Sequence, residues 1–76
     1  MYTDDMRRAF HSVRPPKNFS VDLLDNDTFL TIRADEKKFM RLLDEEKREA
    51  VEYIIRLKKA LEDNGAVVLI VRKAIS

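Results

Sequence analysis

The sequence predicts a small α+β domain, and three patterns lead to this prediction. Residues 19–33 alternate apolar and polar side chains around a short turn, which is typical of a β-hairpin. Residues 44–64 carry apolar side chains at the spacing of one helix face. Six apolar residues, 66–71, follow the only glycine, Gly65. We therefore expect a small antiparallel sheet (a hairpin or a three-stranded meander), then one amphipathic helix packed on it, then a terminal strand, with a short helix at the N-terminus.

The composition limits the size and class of the protein. Seventy-six residues make one domain, and such a chain buries only about 60% of its unfolded surface, so help from a partner is plausible. The absence of cysteine excludes a disulfide framework and thiolate chemistry. We see neither the apolar segment of a signal peptide nor the ~20 apolar residues that span a bilayer. We therefore expect a cytoplasmic protein that is not in a membrane.

The first 18 residues are expected to form a helix and a connector. Thr3 is a suitable N-cap for a helix over residues 4–12. Two consecutive prolines, Pro15 and Pro16, then favour an extended backbone. The chain is thus predicted to consist of a short helical segment (residues 1–14), a Pro-rich connector (15–18) and a single α+β domain (19–76).

Two strands are predicted at residues 19–24 and 28–33, on either side of the Asp-Asn-Asp turn at residues 25–27. Leu30 would face inward, whereas Phe29 points to the other face and requires a cover. The turn lacks the glycine and the terminal glutamate of a calcium loop, so no metal is expected there.

Residues 34–43 fit two structures. Asp35 could cap a helix with Phe39 on its inner side, or residues 38–43 could form a third strand. The strand is favoured because the six charges of residues 44–49 resemble the start of a new helix. A single helix through both segments would also be roughly 45 Å long, which is long for a domain of this size.

The helix at residues 44–64 is the clearest element. A helical wheel places Val51, Ile54 and Leu61 on one side, so Ile54 and Leu61 are predicted core residues. Asp44 is the expected N-cap, and the following Asn-Gly pair is the expected left-handed stop.

The apolar run that follows shows no alternation, which is typical of a strand covered on both faces. We expect a strand over residues 66–73. A crossover after a meander would most simply place it at an edge, beside the first strand and parallel to it.

No catalytic, metal or cofactor site is recognisable, so we expect a protein that is not an enzyme. A single glycine is too few for a Gly-rich phosphate loop. The only histidine, His11, has no second metal ligand at a suitable spacing. The acidic residues lie on a helix surface and a turn, where no pocket would protect them.

The sequence instead predicts an interaction surface. Tyr53 and Ile55 widen the apolar arc of the helix beyond what one small sheet covers. Val68 and Ile70 belong to five consecutive apolar residues, 67–71, which at an edge invite pairing with another strand. We predict that these four residues bind a partner, and that the protein is a homodimer or binds another protein.

The alternative is a nucleic-acid-binding or regulatory module that uses a basic patch from the two chain ends. The net charge of +1 is low for such a protein, and few aromatic residues would be free to stack on bases. The candidate phosphate contacts are Arg7, Arg8, Arg14, Lys17, Arg72 and Lys73.

Overall fold

Helices and strands follow one another along residues 2–73, which are the residues described by the computed structural model. The α+β class predicted from the sequence is confirmed, with one long helix on a small sheet and a short N-terminal helix. The elements are α1 (Asp4–Ser12), β1 (Val21–Asn26), β2 (Phe29–Asp35), α2 (Glu36–Arg41), α3 (Asp44–Asp63) and β3 (Val68–Lys73).

The predicted hairpin is present, with β1 starting and ending two residues later than expected. β1 and β2 pair antiparallel, and Asn26 lies opposite Phe29 at the end of the ladder. The loop therefore consists of Asp27 and Thr28 only. Asp27 adopts a φ of +47°, a region that Asp enters more readily than most residues. Asp25 and Asn26 thus form the end of β1, and of the predicted Asp-Asn-Asp turn only Asp27 belongs to the loop.

The predicted third strand at residues 38–43 is wrong, because this segment forms α2. The Asp35 carboxylate accepts the backbone N–H groups of Lys37 and Lys38 at 3.0 and 3.4 Å. These bonds satisfy donors that a helix leaves open in its first turn. The Phe39 side chain is buried and packs α2 against the core.

The sheet is mixed rather than antiparallel, and its strand order is β1-β2-β3. β3 pairs parallel with β2, from Leu30 opposite Val68 to Asp35 opposite Lys73. The expected place of the last strand, beside the first, is therefore wrong. Because the segment after β2 turns into a helix, the outer edge of β2 stays open. The helical connection returns the chain to that edge in the same direction, as parallel neighbours require.

The cap of α3 also differs from the prediction. Leu43, not Asp44, is the N-cap, and Asp44 lies inside the first turn. The Glu46 carboxylate accepts the Leu43 N–H at 2.9 Å, which is half of a capping box. At the other end Gly65 has a φ of +91°, so the predicted left-handed stop is confirmed.

The core lies between the sheet and the helices. Ile54 and Leu61 are buried, as predicted, whereas Val51 is exposed. Thr3 caps α1 as predicted, since its hydroxyl accepts the Met6 N–H at 3.1 Å. Within residues 2–73, no helix has both the length and the apolar character that crossing a membrane requires. In the described part of the chain, the buried residues are Met6, Ala9, Phe19, Leu30, Ile32, Ala34, Phe39, Leu42, Ala50, Tyr53, Ile54, Leu57, Leu61 and Val68.

Candidate interaction surface

The sheet has one covered face and one open face. Along β2, Leu30, Ile32 and Ala34 are buried, whereas Thr31 and Arg33, which alternate with them, are partly exposed. Successive side chains of a strand point to opposite faces, so the helices cover one face only. The other face has no covering element among residues 2–73.

The open face combines apolar side chains with one ion pair. The pairing registers place Leu24, Thr31 and Leu69 in one row across the three strands, and Leu24 and Leu69 are exposed. In the next row, an Arg33 nitrogen lies 2.9 Å from the Asp22 carboxylate. The Arg33 Nε–H is shielded from solvent and finds no acceptor among residues 2–73.

β3 has a free edge, because no strand within residues 2–73 pairs with its outer side. The Leu30 N–H donates to the carbonyl of Val67 at 2.8 Å. Backbone groups of alternate residues point to the same side of a strand, so the groups of Leu69 also face β2. The groups of Ile70 and Arg72 consequently point outward, towards a strand that could be added.

The two edge strands of the sheet differ in character. β1 carries the polar side chains of Asp22, Asp25 and Asn26 among its six residues. Charged side chains protect an edge against pairing with another sheet. β3 is apolar from its first residue to Val71, and Leu69, Ile70 and Val71 are all exposed. The edge at β3 is therefore the unprotected one.

The four predicted partner-binding residues do not form one surface. Tyr53 and Val68 are buried in the core of the single chain, and burial raises the pKa of the Tyr53 phenol. Ile55 is 59% exposed on α3, and Ile70 is 42% exposed on β3. Of the four, Ile55 and Ile70 are thus accessible to a partner in the isolated chain.

α1 docks on its own chain, beside α3. Ala9 lies near Ala60, and Phe10 lies near Val21 and Tyr53, which places α1 on the covered face. The alternative to self-association is that the N-terminal helix covers the second face of the terminal strand within one chain. Leu69 and Val71 remain exposed, so α1 leaves that face open.

The candidate phosphate contacts whose side chains are described are spread over the molecule, and most of them lie near acidic groups. Arg7 and Arg8 lie 3.6 and 3.7 Å from Asp4 and Asp5. Arg72 lies 3.4 Å from Glu36, and its guanidinium is 5.9 Å from the centre of the Phe39 ring. Arg14 lines a cleft with Glu49 and Glu52. Lys17 lies close enough to Glu46 to lower the pKa of that carboxyl. The side chain of Lys73 is outside the described part of the chain.

Sequence reasoning did not single out Leu24, Leu69 or Val71 individually, although all three are exposed on the open face. The signal for two of them was present, because the apolar run at residues 66–71 has no alternation and so predicts apolar side chains on both faces. Comparison with known proteins adds nothing to this surface, since no family model, no curated protein and no solved structure matches the chain.

Proposed function

We propose that this chain is a non-catalytic interaction module that associates with a second copy of itself through β3. One observation carries the proposal: β3 is an edge strand on which Leu69, Ile70 and Val71 are consecutive, exposed and uncharged. An edge of this kind has unpaired backbone groups and apolar side chains at the same place. A neighbouring strand would form hydrogen bonds with the backbone groups and cover the side chains.

A second copy is the partner that requires the fewest assumptions. Leu69, Ile70 and Val71 carry no charge, so two copies do not repel each other at these three residues. Pairing of two identical edges about a two-fold axis also closes the assembly, which prevents growth into fibres. The polar edge at β1 is consistent with a sheet that is extended at one end only.

Sedimentation equilibrium at micromolar concentration tests the proposal. The wild-type protein is expected at twice the chain mass of 9.0 kDa. Ile70→Lys should give a folded monomer, because it places a charge in the middle of the paired edge. A wild-type monomer would exclude the proposal.

Leu24→Lys is the matched control. It adds the same charge at an exposed apolar residue of the open face, but Leu24 lies on β1, at the opposite edge of the sheet. Edge pairing predicts that this variant remains dimeric. If Leu24→Lys dissociated the dimer and Ile70→Lys did not, the contact would be the open face instead of the β3 edge.

The nucleic-acid-binding alternative finds less support. Binding to phosphates would have to compete with the acidic neighbours of Arg7, Arg8 and Arg72. A titration of the protein with non-specific DNA or RNA at increasing salt separates the two classes. Several phosphate contacts would give an affinity for nucleic acid that falls steeply with salt. A module that only pairs strands would show no binding to nucleic acid at any salt concentration.

A further inference from the structure

We infer that the two copies pair their β3 strands antiparallel, with Ile70 on the two-fold axis, so that two three-stranded sheets join into one. This inference rests on the proposed self-association and adds its register. It follows from which backbone groups of β3 are free, which residues are accessible and where the charges fall.

The hydrogen bonds to β2 restrict the register. Because Val67 and Leu69 direct their backbone groups towards β2, the outward groups of β3 belong to Val68, Ile70 and Arg72. An antiparallel neighbour must place its own outward groups opposite these. The two-fold axis can therefore pass through a residue but not between two residues. Leu69, Ile70 and Val71 are the exposed apolar residues of β3 through which it can pass.

An axis at Leu69 would use the least accessible part of the edge. It pairs Ile70 of one copy with Val68 of the other, in both directions. Val68 is buried as a residue, so its backbone groups are shielded in the isolated chain. No pair in this register would consist of two accessible residues with outward groups. The axis at Ile70 provides one such pair, Ile70 with Ile70, although it also places Val68 opposite Arg72.

An axis at Val71 would bring two positive charges together. It places Arg72 of each copy opposite Ile70 of the other, so that the two Arg72 Cα atoms lie about 8 Å apart on the same face, from the strand rise and spacing. An axis at Ile70 increases this separation to about 14 Å. It also leaves each Arg72 beside Glu36 of its own chain.

The axis at Ile70 matches apolar side chains with one another on both faces. On the covered face Ile70 meets Ile70 of the second copy, and each is 42% exposed before pairing. On the open face Leu69 lies directly opposite Val71 of the second copy, and this pair occurs twice. Cross-strand apolar pairs of this kind each contribute to the stability of a sheet.

Disulfide formation between single-cysteine variants tests the register, because the natural chain contains no cysteine. Under mild oxidation Ile70→Cys should form a covalent dimer, since residues on the axis have Cα atoms about 5.5 Å apart, within the range for a disulfide. Leu69→Cys and Val71→Cys alone should not, because their equivalent atoms would be about 8 Å apart. An equimolar mixture of these two variants should cross-link, since position 69 faces position 71.

Lys59→Cys, on the exposed side of α3, measures the background rate. Ile70→Cys should react on the order of a hundredfold faster than this control, because pairing holds the thiols at millimolar effective concentration whereas free chains are micromolar. The advantage should disappear in denaturant. Non-reducing electrophoresis measures both rates.

The outcomes separate the register from the self-association. Rapid cross-linking of Leu69→Cys or Val71→Cys with itself would overturn the axis at Ile70 and leave the dimer intact. Slow reaction of every variant, with a wild-type protein that sediments as a dimer, would overturn the β3 pairing and place the contact elsewhere. A wild-type monomer would overturn the self-association as well.

Discussion

Val68 and Ile70 point to the same face of β3, but Val68 is 5% exposed and Ile70 is 42% exposed. Val68 lies opposite Leu30, and Ile70 lies opposite Ile32, so both belong to the face that the helices cover. Because β3 begins only a few residues after the end of α3, the helices cover the start of the strand but not its middle. One strand thus combines a core position with a position that is free to meet a partner.

Val68→Ala and Ile70→Ala should therefore destabilise the monomer unequally. Removal of two buried methyl groups from Val68, with the cavity that they leave, is expected to lower the free energy of unfolding by about 1.5–3 kcal/mol. Ile70→Ala should cost clearly less, and its main effect should be on dimerisation. Urea unfolding measures both, at a concentration low enough to dissociate any dimer. Equal losses would show that Ile70 is packed within the single chain.

Asp35→Ala should destabilise the protein through the start of α2. The carboxylate accepts the N–H groups of Lys37 and Lys38, and loss of such a cap costs about 0.5–2 kcal/mol. Asp35→Asn is the control, because an amide oxygen can accept the same bonds. Urea unfolding of both variants checks this, and an equal loss in the two would exclude capping as the role of Asp35.

Gly65→Ala should destabilise the end of α3 through the backbone alone. A Cβ at this position would meet nothing within 4 Å, so no clash contributes. The φ of +91° lies in the region where a side chain costs roughly 1–2 kcal/mol. Gly65→Asn should cost less than Gly65→Ala, because Asn is the other residue found at such helix ends. Thermal unfolding ranks the two, and the reverse order would contradict a backbone origin.

Glu46 should give the stability a pH dependence on the acid side. The backbone N–H of Leu43 and the side-chain amide of Asn18 donate to its carboxylate, and both lower its pKa from the usual 4.5. Since the folded pKa is below the unfolded one, this contribution is fully present above pH 4.5 and is lost as the pH falls through the folded pKa.

Glu46→Gln should remove this dependence. The wild-type protein is expected to be the more stable of the two at pH 7, and the difference should shrink as the pH falls below 4.5. Urea midpoints across this pH range measure the difference. Glu45→Gln, in the same helical turn but without a cap contact, is the control for the general effect of removing a negative charge.

The elements that could be predicted from the sequence are those that local patterns determine. α1, the hairpin and α3 each follow from a cap, a turn or a periodicity within a few residues. The structure of the segment after Asp35 could not be predicted, because the spacing of its apolar residues fits a helix as well as a strand. The hydrogen bonds that the Asp35 carboxylate accepts distinguish the two. The position of β3 then followed from this one local choice.

The candidate surface was predictable only in part. The apolar run at residues 66–71 indicated an unprotected strand, and the exposure of Ile70 agrees with that expectation. The sequence could not show that Tyr53 is inaccessible to a partner, because the burial of this side chain depends on where α1 and Phe19 lie. The Phe19 and Tyr53 rings meet edge to face at 6.5 Å, a contact between residues distant in the chain.

The pairing of β2 with β3 has a consequence for the order of folding. Asn26 and Phe29 are three positions apart, whereas Leu30 and Val68 are 38 positions apart. Contacts between distant positions require the closure of a long loop and tend to form late. β3 should therefore be absent from the folding nucleus. We expect Val68→Ala to accelerate unfolding and to change the refolding rate little in stopped-flow kinetics, whereas slower refolding would place β3 in the transition state.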